Sequence, residues 1–203
     1  MQQFSATALS LAALLSLAAC KGHQKKVIVY AGSDIQVDNT KTNITVGEGG
    51  PLRQQDLDFS GGDPVTLNVQ TASGKVSLEV AEDGLYIANL KNDTIVGSYQ
   101  RVGSASGSNR ITQDQLKPMV DSLEKLVRGE NISAANKNYF ILPNHIAKIS
   151  QTAAAKVFGP YTTIPSSFDA GSVPEIYKFY SVKEVHEMIN KFNGIINPAP
   201  PAK

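Results

Sequence analysis

Between residues 65 and 102 the chain alternates apolar and polar positions with a period of two. Val65, Leu67 and Val69 are interleaved with Thr66, Asn68 and Gln70, and Val76, Leu78 and Val80 with Ser77 and Glu79. That period predicts strands with one face buried. Apolar runs at 85–90 and 95–102 extend the series. The separators Ser73-Gly74, Asp83-Gly84 and Asn92-Asp93 have the residues that tight hairpin turns favour. Together they predict a four-stranded antiparallel meander over 65–102. Runs at 27–31, 42–46 and 56–60 predict further strands, and the apolar face of such a sheet needs a second sheet or helices to cover it.

The period changes after the Gly/Ser-rich segment 103–109. Leu116, Met119, Val120, Leu123, Leu126 and Val127 fall at helical offsets and define one apolar stripe. Thr112 and Gln115 have capping-box spacing, and Gly129 is a stop signal. Pro118 would sit past the first turn of a helix starting at Thr112, so the helix either kinks there or begins near Lys117. A short strand is expected at 139–142, then a helix capped by Asn144 and running to about 157, a Pro-containing loop over 159–174 and a strand at 175–180. A last helix follows, with Ser181 and Glu184 as capping box and Val182, Val185, Ile189 and Phe192 on one face. The expected fold class is α+β: an N-terminal antiparallel β-meander or sandwich-like region over 27–102, a linker at 103–111, a smaller α+β region with about three helices over 112–194, and a loose tail at 195–203.

The first twenty residues contain no Asp, Glu, Lys or Arg, and 8–19 is an Ala/Leu run interrupted only by Ser10 and Ser16. This is the length of a secretory apolar core and short for a membrane-spanning helix. It ends in Leu17-Ala18-Ala19-Cys20, followed by Lys21-Gly22-His23-Gln24-Lys25-Lys26. The segment resembles the lipobox of bacterial lipoproteins, a Leu and two small residues before an obligatory Cys. It departs from that family in the start Met1-Gln2-Gln3, which has no basic side chain. The resemblance implies a signal peptide at 1–19 that is removed, and a Cys20 acylated on its sulfur and on its new amine. Residues 20–26 would then form a lipidated basic tether. Multiple acyl chains hold a protein stably on a bilayer, and Lys21, Lys25 and Lys26 would each add about 1 kcal/mol near an anionic surface. A Lys after the Cys suggests the outer membrane with the protein facing the periplasm. Lipoproteins displayed outside the cell in the Bacteroidetes often carry acidic residues there. No domain family is recognised in the mature part.

Charge narrows the remaining classes. The 203-residue chain has 19 basic and 18 acidic side chains, without the basic field of a dedicated nucleic-acid binder. The segment 27–102 is acidic and 103–203 basic, which would favour docking of one on the other. Cys20 is the single cysteine, so neither an intrachain disulfide nor a Cys-based metal cage is available.

Candidate chemistry is sparse. Asp56, Asp58, Ser60 and Asp63, with Gly61-Gly62, resemble the first half of an EF-hand-like calcium loop, whose oxygens alternate around a hard cation. The twelfth position is Leu67, where that loop needs a bidentate Glu. The plainer reading is an edge strand with Leu57 and Phe59 inward and the aspartates in water. Of the three histidines, His23 lies in the tether, and His186-Glu187 resembles the start of a zinc-protease helix but has Asn190 at the second ligand position. Ser122 and Lys125 have the S-x-x-K spacing of penicillin-binding enzymes without a K-T-G companion. Gly47-Glu48-Gly49-Gly50 lacks the Lys of a phosphate loop. Tyr177, Phe179 and Tyr180, with Phe158, Tyr161 and Phe168, form either a stacking platform for a glycan or part of a core. Asp93-Thr94-Ile95 and Asp121-Ser122-Leu123 resemble the short O-glycosylation sites of Bacteroidetes secreted proteins. The expectation is a lipid-anchored, non-enzymatic envelope protein that binds another protein or supports an assembly, with a glycan- or cation-binding module as the alternative and an unrecognised hydrolase behind it.

Overall fold

The computed structural model describes residues 22–100, 113–159, 164–165, 168 and 174–198. The Leu17–Cys20 motif, Lys21, Thr112, Tyr161, the 103–111 linker and the end of the tail lie outside them. Twelve strands and two helices are seen among the described residues. The strands are β1 (Gln24–Ala31), β2 (Ile35–Val37), β3 (Asn43–Val46), β4 (Arg53–Ser60), β5 (Val65–Thr71), β6 (Gly74–Val80), β7 (Gly84–Leu90), β8 (Ile95–Gln100), β9 (Asn138–Ile141), β10 (His145–Ser150), β11 (Lys156–Phe158) and β12 (Ile176–Ser181). Helix α1 spans Gln113–Val127 between β8 and β9, and α2 spans Val182–Ile196 after β12.

The strands form three four-stranded sheets, each built around or edged by a parallel pair. The central sheet has the order β10-β7-β1-β4, with β1 and β7 parallel. A flanking sheet, β2-β3-β5-β6, pairs β3 and β5 in parallel. The third, β11-β12-β8-β9, pairs β11 and β12 in parallel. They stack with the central sheet between the other two. Val27, Val29 and Ala31 of β1 and Tyr86, Ala88 and Leu90 of β7 meet Ile44, Leu67, Val69 and Val80 of the flanking sheet. On the opposite face, Ile28, Leu85 and Ile87 meet Ile95, Ile141, Tyr177 and Phe179 of the third sheet. The outer face of that sheet, through Val96, packs on Leu116, Val120, Leu126, Val185 and Ile189 of the two helices. The molecule is therefore α+β and strand-rich, with four layers.

The meander expected over 65–102 is not formed. Only β5 and β6 pair as a hairpin, from Val65 opposite Val80 to Thr71 opposite Gly74. The next strand, β7, joins the central sheet, and β8 joins the third. Burial gives the reason. Strands β5 and β6 alternate and can leave one face in water, whereas all seven residues of β7 are buried. A strand buried on both faces belongs inside a stack. The turns at Asp83-Gly84 and Asn92-Asp93 consequently reverse the chain between layers.

The helix expected from Asn144 to about 157 is also absent, which leaves two helices in place of about three. Residues His145–Ser150 form β10, antiparallel to the open side of β7. Asn144 adopts φ 60° and makes a left-handed turn into that strand. Long-range pairing with β7, together with the β-branched Ile146 and Ile149, outweighs the capping signal. Strands from either side of the 103–111 segment share two sheets, since β10 pairs with β7 and both β9 and β12 pair with β8. Lys148 Nζ lies 2.7 Å from Glu82 Oε2, joining the basic half to the acidic one.

The helix ends follow the sequence signals. Ser181 and Glu184 close a capping box at the start of α2. At the end of α1, the Glu130 amide donates to the Lys125 carbonyl and the Gly129 amide to that of Leu126, with Gly129 at φ 70°. These bonds form a Schellman motif. Pro118 lies inside α1, where the Ser122 hydroxyl donates to its carbonyl at 2.7 Å. At the other end of the chain, α2 continues to Ile196, into the region expected as tail.

Gly84 joins layer geometry to a single residue. Its φ is +134°, and a Cβ there would collide with the Ser150 carbonyl of β10. Gly84→Ala is expected to lower the unfolding free energy by about 3 kcal/mol, because strain and overpacking act together. A urea titration of wild type and variant checks this; an unchanged midpoint would show that the β7–β10 edge is not closed as described.

Candidate functional site

Strand β1 sets two ends for the molecule. It begins at Gln24, four positions after Cys20, and its eight residues carry the chain about 25 Å across the stack. At the starting end, Lys25 is 1% exposed. Its ammonium donates to the Gly61 carbonyl at 2.6 Å and sits 3.7 Å from Asp83 Oδ1. His23 Nδ1 lies 2.7 Å from the other Asp83 oxygen. Residues 24–26, expected as the end of a tether, are therefore the first residues of β1, held in contact with the β4–β5 and β6–β7 turns.

Of the four oxygen-bearing residues considered for calcium, Asp58, Ser60 and Asp63 lie at the same end, and Asp56 lies midway along β4, opposite Ile28. Asp56, Asp58 and Ser60 are exposed positions of β4, the edge strand of the central sheet, with Leu57 buried and Phe59 half-buried. Asp63 follows in the β4–β5 turn and is exposed. Asp56 bonds Lys26 at 2.7 Å and Gln54 at 3.0 Å. Partial burial raises its pKa, but these bonds prevail and hold the carboxyl below its ordinary range. Among the described residues no three His, Cys, Asp or Glu side chains gather in metal-binding geometry.

The remaining sequence candidates are dispersed. His145 is exposed on β10 and His186 exposed on α2. Ser122 and Lys125 are both exposed on α1, and the Ser122 hydroxyl is engaged by Pro118. The aromatic run divides. Tyr177 and Phe179 are core residues, with Tyr177 edge-on to Tyr99 and Tyr139 at centroid distances of 5.8 and 5.9 Å. Tyr180, Phe158 and Phe168 are half-buried.

Next to the tyrosines is a junction centred on Glu175. One carboxylate oxygen accepts from Lys137 Nζ at 2.7 Å. The other accepts from the Ser150 hydroxyl and, at 3.1 Å, from the Tyr177 hydroxyl. Lys137 also lies 4.5 Å from the centroid of the Tyr99 ring, within cation–π range. The Lys137 and Ser150 bonds hold the Glu175 carboxyl below its ordinary range, and burial pushes the Tyr177 phenol well above its own. With both oxygens occupied, Glu175 ties β10 and β12 to the segment leading into β9.

At the far end, the carboxyl ends of four strands open into one crevice of about 320 Å³. They are the two central parallel strands, β1 and β7, and the parallel pair β3 and β5 of the flanking sheet. Loops leaving parallel strands at one end of a sheet are a recurrent place for ligand sites. The floor is apolar, formed by Val46 and Leu90, and the walls carry Glu48, Ser73, Asn92 and Asn144. Buried bonds hold the loops. The Ser33 hydroxyl donates to the Gly47 carbonyl at 2.5 Å. Asn89, fully buried, donates its amide to the Asp93 and Ile141 carbonyls at 2.9 Å each and accepts from the Lys91 amide at 3.1 Å. The backbone N–H of Asn144 donates to the backbone carbonyl of Asn89 at 2.7 Å. Asn89 thus fixes both loops that bring Asn92 and Asn144 to the crevice.

Sequence reasoning missed this crevice. Gly47-Glu48-Gly49-Gly50 resembles an incomplete phosphate loop, and the legible clue to the crevice is Asn89, an amide inside the apolar run of β7.

No family model, curated protein or solved structure matches this chain, in keeping with the absence of a recognised domain signature after residue 20. No helix among the described residues is long and apolar enough to cross a membrane.

The Glu175 junction makes a pH-dependent contribution to stability. A carboxyl whose folded pKa is depressed stabilises the fold above its unfolded pKa and loses that effect as pH falls through the folded value. Glu175→Gln is therefore expected to destabilise the protein at pH 7 by about 1–2 kcal/mol. The difference from wild type should shrink on acidification below the ordinary glutamate range. Urea midpoints across that range check it, and a gap independent of pH would show that the carboxylate charge is not what stabilises the junction.

Proposed function

We propose that this chain is a lipid-anchored bacterial envelope protein that acts by binding, as a partner-binding or assembly element at the membrane surface, without catalysis of its own. The observation that carries the reading is the Leu17-Ala18-Ala19-Cys20 motif with the chain's single cysteine four positions ahead of β1. Acyl chains on Cys20 insert into the bilayer with Lys21 directly after them, while Lys25 and Lys26 are taken up by β1, Lys25 buried against Gly61 and Lys26 paired with Asp56. With Lys25 clamped into the fold, the interval between anchor and folded domain is only a few residues long. The domain is then held close to the lipid, with β1 leading away from it. A basic residue after the acylated Cys favours the outer membrane, facing the periplasm.

A protein partner is supported by the helical side of the molecule. Met119, Leu123, Met188 and Phe192 line a cleft of about 760 Å³ between the helices and the third sheet. Methionine-rich apolar surfaces adapt readily to partner side chains.

Intact-mass measurement of the membrane-extracted full chain, beside Cys20→Ser, tests the anchor. The expected species begins at Cys20 and carries acyl mass that is absent from the variant. An unprocessed chain starting at Met1 would overturn the reading.

A further inference from the structure

We propose that the crevice at the far end of β1 is a binding site for a neutral, hydroxyl-rich ligand about the size of one sugar residue. It rests on the binding role proposed above and adds the site and the class of ligand. Geometry is the first argument. Four strands from two different sheets end at one place, and a volume of about 320 Å³ is at the lower end of the range for small-molecule sites.

Chemistry is the second argument. Val46 and Leu90 supply an apolar floor that suits the C–H face of a pyranose ring. Asn92 and Asn144 stand in the walls, and neither side chain hydrogen-bonds to another described residue. Each amide offers both donors and acceptors, the combination that hydroxyl groups satisfy. Glu48, also without a partner among the described residues, adds an acceptor for further hydroxyls. The crevice has no basic side chain in its lining, so a phosphate or carboxylate would meet only an unfavourable charge.

Preorganisation is the third. Free amides on mobile loops would lose much of their binding energy to ordering. Here Asn89, fully buried within β7, holds the 91–93 and 141–144 segments through four hydrogen bonds. Next to the lining residue Gly49, Gly50 packs so closely on Ser33 that a Cβ would approach the Ser33 Cα to 3.3 Å. Binding would therefore require little rearrangement. With the anchor at the other end of β1, the site opens away from the membrane.

Saturation-transfer NMR on the full chain, in a detergent without sugar headgroups, tests this with D-glucose, D-galactose, D-mannose and N-acetyl-D-glucosamine as probes. At least one sugar is expected to receive saturation. Asn144→Gly removes the amide while keeping a backbone suited to φ 60°, and should weaken binding by about tenfold, the loss expected for one or two hydrogen bonds. Ala72→Trp, at an exposed hairpin position on the rim, should abolish it by filling the mouth. Unfolding midpoints close to wild type would show that both variants keep the fold. No transfer to any of the four sugars would overturn the proposal, as would transfer that persists unchanged in both variants. Acylation does not enter this measurement, so its failure and that of the anchoring are told apart by the mass of the extracted chain.

Discussion

The parallel pairing of β1 with β7 is the contact on which the remaining layers depend. From Val27 to Ala31 and from Leu85 to Leu90, both strands are buried on both faces. A sheet with such a centre cannot leave either side in water, because each uncovered Val, Leu or Ile would forgo about 1.5–3 kcal/mol of burial. The flanking sheet covers one face and the third sheet the other. The third sheet then has an apolar outer face of its own, at Val96, and the two amphipathic helices close it. Layer order thus follows from successive demands for cover, starting at one pair of strands.

Polar groups inside this stack sit where layers meet loops, and each fixes one end of the molecule. Lys25 fastens the start of β1 to two turns. Glu175 gathers a lysine, a serine and a tyrosine from neighbouring strands. Asn89 holds the loops beyond the end of β7. Such groups are costly to bury unless satisfied, and here they convert a loosely specified stack of sheets into one with defined loop positions. The start of β1 and the crevice are consequently each held by buried polar contacts, and they are separated by the length of a strand.

Several features were legible locally. The capping box at Ser181 and Glu184, the Gly129 stop and the β5–β6 hairpin each rest on contacts within a few residues, so their signals survive without knowledge of the rest of the chain. Residues 56–60 form an edge strand for the same reason: Leu57 and Phe59 turn inward and alternate with aspartates that need only water or a neighbouring lysine. The core membership of Tyr177 and Phe179 was likewise the plainer of two readings of that aromatic run.

Local patterning along the chain is enough to set the type of most elements, the α+β class, the balance of charge, and the expectation of an acylated Cys20 carried by four consecutive residues. Which strands pair, that 145–150 is a strand, and that four strand ends meet in a crevice follow only from the folded arrangement of the layers. Hydrophobic periodicity records whether a residue faces a core but not which core, because Val27 and Ile28 read alike although they face different sheets. Pairing and site formation depend on contacts between residues tens of positions apart, and that information becomes physical only when the layers assemble.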